Sequence, residues 1–262
     1  MSNQYEVLGK APQSEDLKKL SPNDIHLTIK NLSAGYGKME ILHNFDLFVS
    51  KAQSLCLIGP NGAGKSTILH SIYGFTNIFQ GQIEIDGKEI TNLTPAEKLK
   101  SVGIAYILQD NSVFPDMTVE ENLLMGGFIK DKTEESFQEA EKVLEKYERL
   151  RNRRNQPAKV LSGGERRLLE ISRALIMNPD ILLLDEPAAG MNNEETEDIA
   201  RFIIDIHEEM KKTVVLVDHD MNMVMDIAEE VMVLNFGEKL AEGKPKEIVK
   251  DSKVIEAYLG VS

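Results

Sequence analysis

The chain has 262 residues, of which 42% are hydrophobic and 28% charged, a balance typical of a globular protein. Its formal net charge of −13 argues against a surface that coats nucleic acid. The single cysteine, Cys56, excludes an internal disulfide and a cysteine-based zinc site, and no apolar run reaches membrane-spanning length. Because the N-terminus also lacks the layout of a signal peptide, we expect a cytosolic protein that reaches a membrane only through a partner.

The N-terminal part of the chain divides into two segments of different character. Residues 1–24 are polar and show no clear period, so we expect a flexible extension there. From 26 to 32 the residues alternate as in a strand, 33–37 is predicted to turn, and 41–49 predicts a second strand. These segments predict an antiparallel hairpin ahead of the main domain.

A phosphate-loop pattern lies between the apolar strand predicted at 54–58 and a helix predicted from 67 to 73. Its residues are Gly59, Pro60, Asn61, Gly62, Ala63, Gly64, Lys65, Ser66 and Thr67. The glycines let backbone N–H groups approach a phosphate, and the helix N-terminus adds partial positive charge. We expect Lys65 to reach the β- and γ-phosphates of a nucleotide and the Ser66 hydroxyl to ligate Mg²⁺. A Gly-rich turn that matched by chance would not require this strand and helix on either side.

Apolar strands alternate with amphipathic helices through the rest of the chain. Strands are predicted at 81–87, 102–108, 181–184, 213–217, 231–234 and 239–242. Thr94 and Thr118 each precede a glutamate by three residues, a pattern that predicts capping boxes at two helix starts. Asn192, followed by Glu195, predicts a third helix start. This alternation predicts a mostly parallel sheet, in which ligands bind at the carboxyl ends of the strands.

The segment 110–165 is predicted to form a helical subdomain inserted into the α/β domain, because we find no strand pattern between 110 and 160. Apolar residues at helical spacing predict one amphipathic helix over 133–150. A basic cluster follows at its end, formed by Arg149, Arg151, Arg153 and Arg154. We interpret this cluster as solvent-facing charge at a helix C-terminus, with docking of a partner as the alternative.

Two acidic residues follow the apolar strand at 181–184. Asp185 stands at the strand end, where an aspartate organises Mg²⁺ in phosphate-loop NTPases. Glu186, the next residue, is the natural general base or water-polarising group for attack on a γ-phosphate. The alternative is that both acids belong to a turn or a helix cap.

A second candidate anion site lies at Ser162, Gly163, Gly164 and Glu165, at the start of a helix predicted from 165 to 177. Ser-Gly-Gly leaves backbone N–H groups free at a helix N-terminus, which favours binding of a phosphate. Since the phosphate loop already holds one triphosphate, the second cradle is best explained by a nucleotide bound to another subunit.

With these motifs in this order, 25–260 resembles the ATP-binding cassette (ABC) family. The resemblance implies a P-loop NTPase fold over 25–262: a RecA-like, mostly parallel sheet with an N-terminal antiparallel β subdomain and the inserted helical subdomain. It also implies a head-to-tail dimer that encloses ATP between the phosphate loop of one subunit and the signature segment (162–165) of the other.

The resemblance assigns roles to three further residues. Gln109 is expected to contact Mg²⁺ and to couple the helical subdomain to the transmembrane partner. His219 is expected to contact the γ-phosphate. Tyr36, which by itself would more often be surface filler, matches the aromatic residue that stacks on adenine.

Three segments are similar to the branched-chain amino-acid importer branch of the family, namely 114–123, 188–192 (Ala-Ala-Gly-Met-Asn) and 258–260 (Tyr-Leu-Gly). This branch implies permease subunits on the inner face of the cell membrane and, indirectly, a substrate-binding protein. The alternatives are the ATPase of a lipid or lipopolysaccharide exporter and a soluble ABC protein acting on DNA or ribosomes. A net charge of −13 disfavours nucleic acid. A metabolic phosphate-loop kinase would have no use for the second cradle.

Overall fold

The computed structural model describes residues 24–109, 112–130 and 133–259. The extension predicted over 1–24 therefore lies outside the described residues except for Asp24. Two β-sheets and the helices around them form the described chain. In that part of the chain, no helix combines the length and the apolar character needed to cross a membrane.

The strands are β1 (Ile25–Tyr36), β2 (Met39–Ser50), β3 (Ser54–Ile58), β4 (Asn77–Ile85), β5 (Lys88–Glu89), β6 (Ile104–Ile107), β7 (Ile181–Asp185), β8 (Thr213–Val217), β9 (Glu230–Asn235) and β10 (Glu238–Gly243). One sheet has the strand order β2-β1-β4-β5 and is antiparallel. The other has the order β10-β9-β3-β8-β7-β6 and is parallel except for β10. The predicted antiparallel and mostly parallel sheets are confirmed.

The α-helices are α1 (Lys65–Tyr73), α2 (Pro95–Glu97), α3 (Val119–Gly126), α4 (Thr133–Lys146), α5 (Glu148–Arg151), α6 (Gly163–Leu175), α7 (Asn193–Glu208), α8 (Met221–Ile227), α9 (Pro245–Ile248) and α10 (Ser252–Leu259). A π-helix at Lys98–Val102 continues α2, and a 3₁₀ turn at Ala158–Val160 precedes α6. The predicted capping boxes at Thr94 and Thr118 and the Asn192 cap are present.

The parallel sheet is buried on both faces. Every residue of β3, β7 and β8 is buried, which explains why these strands are apolar along their length rather than alternating. Cys56 lies in β3 as a free, fully buried thiol, as its apolar surroundings predict. The carboxyl ends of β3, β7 and β8 meet at one edge of this sheet, and the candidate site lies there.

The antiparallel sheet departs from the sequence prediction at two places. The turn predicted at 33–37 is wrong, because β1 continues to Tyr36 and its pairing register shifts around Leu32 and Ala34. These irregular pairings interrupt the alternation from which a strand is recognised. β4 begins at Asn77, before the predicted start at Gly81, since Gly81 (φ +88°) lies inside the strand rather than at its start.

The helices between β6 and β7 pack around a separate hydrophobic cluster. Its buried residues are Val119, Leu123, Ala140, Leu144, Leu150, Ala158, Leu161, Leu169 and Ile176. The single helix predicted over 133–150 is interrupted: α4 ends at Lys146, and Tyr147 is extended before α5. The ring of Tyr147 packs edge-on against Phe202 of α7, with 4.6 Å between centroids. This packing against the main domain accounts for the break in the helix.

The basic cluster at the end of α5 is paired with acidic residues from several helices. Arg149 bonds Asp198 of α7, and Arg153 Nε lies 2.7 Å from Glu165 Oε1 of α6. Arg154 bonds Glu120 of α3 and Glu141 of α4. These arginines therefore connect four helices, in addition to facing solvent as the sequence predicted.

Lys98 is fully buried and caps the helix that begins at the phosphate loop. Its ammonium group donates to the carbonyl oxygen of Ile72 at 2.8 Å, in the last turn of α1. The partial negative charge at a helix C-terminus stabilises a nearby cation. Burial disfavours the charged form, however, and lowers the pKa of Lys98 to about 8. Keeping the Lys98 ammonium group charged inside the protein therefore lowers the free energy of unfolding by an amount that depends on pH.

We predict that the buried Lys98 makes the free energy of unfolding depend on pH. The pKa of Lys98 is 10.5 in the reference state and about 8 in the folded state. Between these values the unfolded chain binds more protons, so the free energy of unfolding should rise with pH. Lys98→Met should remove a rise of up to about 3 kcal/mol, as seen by urea titrations across this window.

The exposed Lys88 provides the matched control. Lys88→Met should keep the wild-type slope of unfolding free energy against pH. An identical slope in wild type and Lys98→Met would contradict the assignment of the buried charge to Lys98.

Candidate functional site

The phosphate loop has the backbone that its glycines predict. Gly59, Gly62 and Gly64 all have positive φ, at +151°, +81° and +100°. A Cβ on Gly59 would lie 2.3 Å from the carbonyl oxygen of Leu234, so only glycine fits where the loop passes β9. The loop leads directly into α1, whose first residues, with Glu186, line a cavity of about 210 Å³.

Lys65 lies at the base of this loop with its ammonium group folded back onto the backbone. Its Nζ donates to Gly59 O at 2.9 Å and to Pro60 O at 3.1 Å. Burial lowers the pKa of Lys65, while the carboxylates of Glu186 and Asp185 raise it. A phosphate would give this buried cation a stronger partner than two carbonyl groups.

The carboxylate of Asp185 joins β7 to the phosphate loop. Its Oδ1 accepts from the Ser66 hydroxyl at 3.1 Å, and its Oδ2 accepts from the Tyr106 hydroxyl at 3.0 Å. The two residues expected to organise Mg²⁺ are thus in contact. Tyr106 lies on β6, beside β7, and the sequence analysis did not identify it because one tyrosine in an apolar strand reads as core.

Glu186 occupies a strained position immediately after β7. Its φ is +45°, in the left-handed region that a residue other than glycine adopts at a cost in energy. Its Oε2 accepts from Gln109 Nε2 at 2.9 Å, and its Oε1 lies 3.9 Å from His219 Nδ1. Gln109 and His219, which follow β6 and β8, therefore both lie beside the carboxylate of Glu186 at the end of β7.

Tyr36 lies at the edge of the site, where its hydroxyl group has a hydrogen-bond partner on α1. Its hydroxyl is hydrogen-bonded to Nδ1 of His70, one turn along α1 from Ser66. Burial raises the pKa of Tyr36 and lowers the pKa of His70, so the pair joins a neutral phenol to a neutral imidazole. The sequence analysis did not identify His70, which lacks a motif of its own.

The signature segment (162–165) forms a capping box at the start of α6. Ser162 Oγ accepts from the N–H of Glu165, and Glu165 Oε2 accepts from the N–H of Ser162. The N–H of Gly164 donates to Glu195 Oε1 of α7 at 3.1 Å. Glu195 was predicted only as part of a helix start, and its contact with Gly164 is a new feature of the site.

The signature segment does not line the phosphate-loop cavity. Ser162, Gly164 and Glu165 instead line a separate groove of about 370 Å³ between α5, α6 and α7. Within the described residues, one chain therefore presents its two candidate anion cradles in two separate depressions.

Arg167 fixes the relation between these elements, and no motif in the sequence indicated it. The side chain is buried and lies on α6, one turn after the signature segment. Its guanidinium donates to five acceptors: Leu108 O, Asp185 O, Glu186 O, Pro187 O and the carboxylate of Glu170. One side chain thus ties the signature helix to the ends of β6 and β7.

The residues present fit a nucleotide with Mg²⁺. No group of three or more His, Cys, Asp or Glu side chains suited to a metal occurs among the described residues. Mg²⁺ in nucleotide sites requires fewer, because it takes one or two protein oxygens with phosphate oxygens and waters. Ser66 Oγ and Asp185 Oδ1, 3.1 Å apart beside the loop, supply such a pair.

The fold and the phosphate-loop geometry define a P-loop NTPase. Comparison with known proteins gives the family. The model of the ABC transporter family matches residues 42–189, and that of the branched-chain amino acid ATP-binding cassette transporter matches 238–262. The chain belongs to the ABC transporter family, and it is an ATP-binding subunit with the ATPase fold of that family.

Relatives and solved structures agree with this family. The chain is 36% identical over 252 residues to BraF of Pseudomonas aeruginosa, a high-affinity branched-chain amino acid transport ATP-binding protein, covering 89% of this chain and 97% of BraF. It is 36% identical over 236 residues to the lipopolysaccharide export system ATP-binding protein LptB of Haemophilus influenzae, covering 89% and 97%. A nucleotide-free ATP-binding cassette from an ABC transporter superposes with a TM-score of 0.79 at 30% identity, covering 90% of this chain and 100% of that chain.

We predict that Arg167→Met lowers the free energy of unfolding by about 3–5 kcal/mol, because it leaves the buried Glu170 without its cation and removes the hydrogen bonds that Arg167 donates to four carbonyl groups. Equilibrium unfolding of the purified variant in guanidinium chloride measures this loss. Arg201→Met is the control, since Arg201 is exposed and lies 3.7 Å from Glu197 on the helix surface. We call the hydrogen bonds of Arg167 to the ends of β6 and β7 the Arg167 clamp. If Arg167→Met lowers the free energy of unfolding no more than Arg201→Met does, this clamp does not stabilise the fold.

Proposed function

We propose that this chain hydrolyses MgATP in a head-to-tail dimer and drives import of branched-chain or related amino acids through permease subunits. The proposed ATP hydrolysis is supported by one observation: the phosphate loop lies beside the ends of β6, β7 and β8. There the Ser66–Asp185 pair and Glu186 lie together, in contact with Gln109 and near His219.

The roles proposed for these residues follow from their chemistry. Mg²⁺, when bound, supplies charge neutralisation of the phosphates. Lys65 leaves its two carbonyl partners to bind phosphate oxygens, and Ser66 and Asp185 hold the metal. Glu186 Oε2 accepts from Gln109, and Oε1 accepts no hydrogen bond from His219 at 3.9 Å, so this carboxylate can orient a water and take up its proton.

Gln109 and His219 are proposed to act at the same carboxylate. Gln109 donates to Glu186, so the segment that follows β6 can hold the base in place. The amide oxygen of Gln109 would serve as a ligand of Mg²⁺, and the imidazole of His219 would contact the γ-phosphate. Tyr36 is proposed to stack on adenine after release from His70.

The separation of the two cradles supports the dimer. A phosphate held at Lys65 has no access to the groove that Ser162 and Gly164 line in its own chain. A second protomer placed head to tail would bring its signature segment against that phosphate.

The importer branch is supported by the match of 238–262 to the branched-chain family model and by the likeness to BraF. A lipid or lipopolysaccharide exporter remains the second candidate because LptB is also 36% identical. In either case the proposed place of this chain is the inner face of the membrane, attached to permease subunits.

A mixture of two inactive variants tests the composite site. Ser162→Arg keeps the phosphate loop and fills the signature segment, whereas Lys65→Ala keeps the signature segment and loses the phosphate cation. Each variant alone should lose roughly 10²-fold or more of its ATPase rate. Mixed, they should recover activity, because each heterodimer contains one site built from two intact halves.

Heterodimer formation is verified first, with differently tagged chains on a gel-filtration column in MgATP. Recovery only in the mixture supports the head-to-tail arrangement. A mixture that contains heterodimers and stays inactive would argue against one composite site acting alone.

The transported solute is tested in the assembled transporter. We predict that the chain purified through an affinity tag carries permease subunits, and that its ATPase rate in lipid vesicles rises when a leucine-loaded substrate-binding protein is added. Stimulation by lipopolysaccharide instead would favour the exporter. An absence of membrane subunits would favour a non-transport ATPase.

A further inference from the structure

Glu195 places a carboxylate on the signature segment of its own chain. Its Oε1 accepts from the N–H of Gly164, the second residue of α6, at 3.1 Å. This N–H is the principal cause that holds the pKa of Glu195 below its usual range, so the group is an anion at neutral pH. A backbone donor expected to receive a phosphate oxygen therefore already holds an anionic oxygen.

The side chain of Glu195 occupies the space directly beside Gly164. A Cβ added to Gly164 would lie 3.1 Å from Cγ and 3.2 Å from Cβ and Oε1 of Glu195. The carboxylate thus lies directly against the glycine, and a phosphate oxygen would have to compete with Glu195 for this N–H. The N–H of Glu165 is also occupied, by the hydroxyl of Ser162.

The other end of the Glu195 carboxylate is bound to the segment that follows Glu186. Its Oε2 accepts from Asn192 Nδ2 at 3.1 Å, and the N–H of Glu195 donates to Asn192 Oδ1 at 3.0 Å. Leaving Gly164 would therefore cost Glu195 its interactions with Gly164 and Ser162 but not its hydrogen bonds with Asn192. An arrangement of this kind is reversible.

We propose that Glu195 is a resident anion that occupies the signature segment in the free protomer, and that the γ-phosphate bound to the other subunit displaces it. Glu195 thereby sets the ATP concentration at which two protomers pair. This inference rests on the proposed head-to-tail dimer. It makes Glu195 a positioning residue for the ATPase reaction, acting on the signature segment rather than on the reacting atoms.

The test compares two charge-removing variants in a Glu186→Gln background, where slow turnover should allow the ATP-bound dimer to accumulate. Glu195→Gln keeps the shape and an acceptor oxygen but removes the competing charge. The MgATP concentration for half-maximal dimer, measured by light scattering or sedimentation, should fall roughly three- to tenfold, since two helix N-termini lose a bound charge. ATP affinity of the monomer should not change.

Glu194→Gln is the matched control. Glu194 lies in the same first turn of α7 and is exposed, so its substitution changes the net charge equally without reaching Gly164. It should require the same MgATP as the parent. If Glu195→Gln behaves like Glu194→Gln, or needs more MgATP because Glu195 supports the signature segment, the inference is wrong.

Failure of the proposed function gives a different result. A Glu186→Gln parent that stays monomeric at saturating MgATP would overturn the head-to-tail dimer and this inference together. A parent that dimerises, with Glu195→Gln unchanged, would overturn only the role of Glu195.

Discussion

The buried guanidinium of Arg167 is the interaction on which the arrangement of the site depends. It donates to the carbonyl groups of Leu108, Asp185 and Pro187, and it shares the carbonyl group of Glu186 with the N–H of Ala189, where β6 and β7 end. Strand ends that carry functional side chains cannot continue their ladder hydrogen bonds, so their backbone needs another partner. Arg167 supplies that partner from the helix that begins at the signature segment.

The hydrogen bonds of Arg167 have a functional consequence, because within one chain they join the signature helix to the strand end that carries Asp185 and Glu186. The helix that would present Gly164 to a second protomer in the proposed dimer is bonded to the backbone of Asp185 and Glu186, and Glu195 bonds the same helix from α7. A change at the signature segment therefore reaches the strand end that carries the proposed base through direct contacts. These contacts are a physical route by which two composite sites can influence each other.

Much of the fold could be predicted from the sequence because its local signals agree with its tertiary structure. The phosphate loop, the capping boxes at Thr94 and Thr118 and the apolar strands each have a short-range physical cause. Predictions failed where a tertiary contact overrode the local pattern. The register shifts near Leu32 hid the continuation of β1, and the packing of Tyr147 on Phe202 divided a predicted helix.

The same distinction applies to the candidate site. Residues in motifs, such as Lys65 and Asp185, were identified from spacing alone. Tyr106, Arg167 and Glu195 were not identified, because their importance comes from the partners that the fold brings to them. A tyrosine in a strand, an arginine in a helix and a glutamate in a first turn are ordinary in sequence. Only their hydrogen bonds to Asp185, to the strand ends and to Gly164 distinguish them.

The central claim is that the ATP site is built from two chains, and cross-linking tests it most directly. Asn61 is exposed on the phosphate loop, and a side chain at Gly163 would meet no atom within 4 Å. Cys56 is buried and can remain. Asn61→Cys and Gly163→Cys would be introduced into separate Glu186→Gln chains, which are then mixed. With a mild oxidant added, such as copper phenanthroline with dissolved oxygen, a disulfide should form between the two different chains in MgATP and should not form in ADP. A mixture that dimerises in MgATP without this bond, or that links Gly163→Cys only to itself, would contradict the composite site.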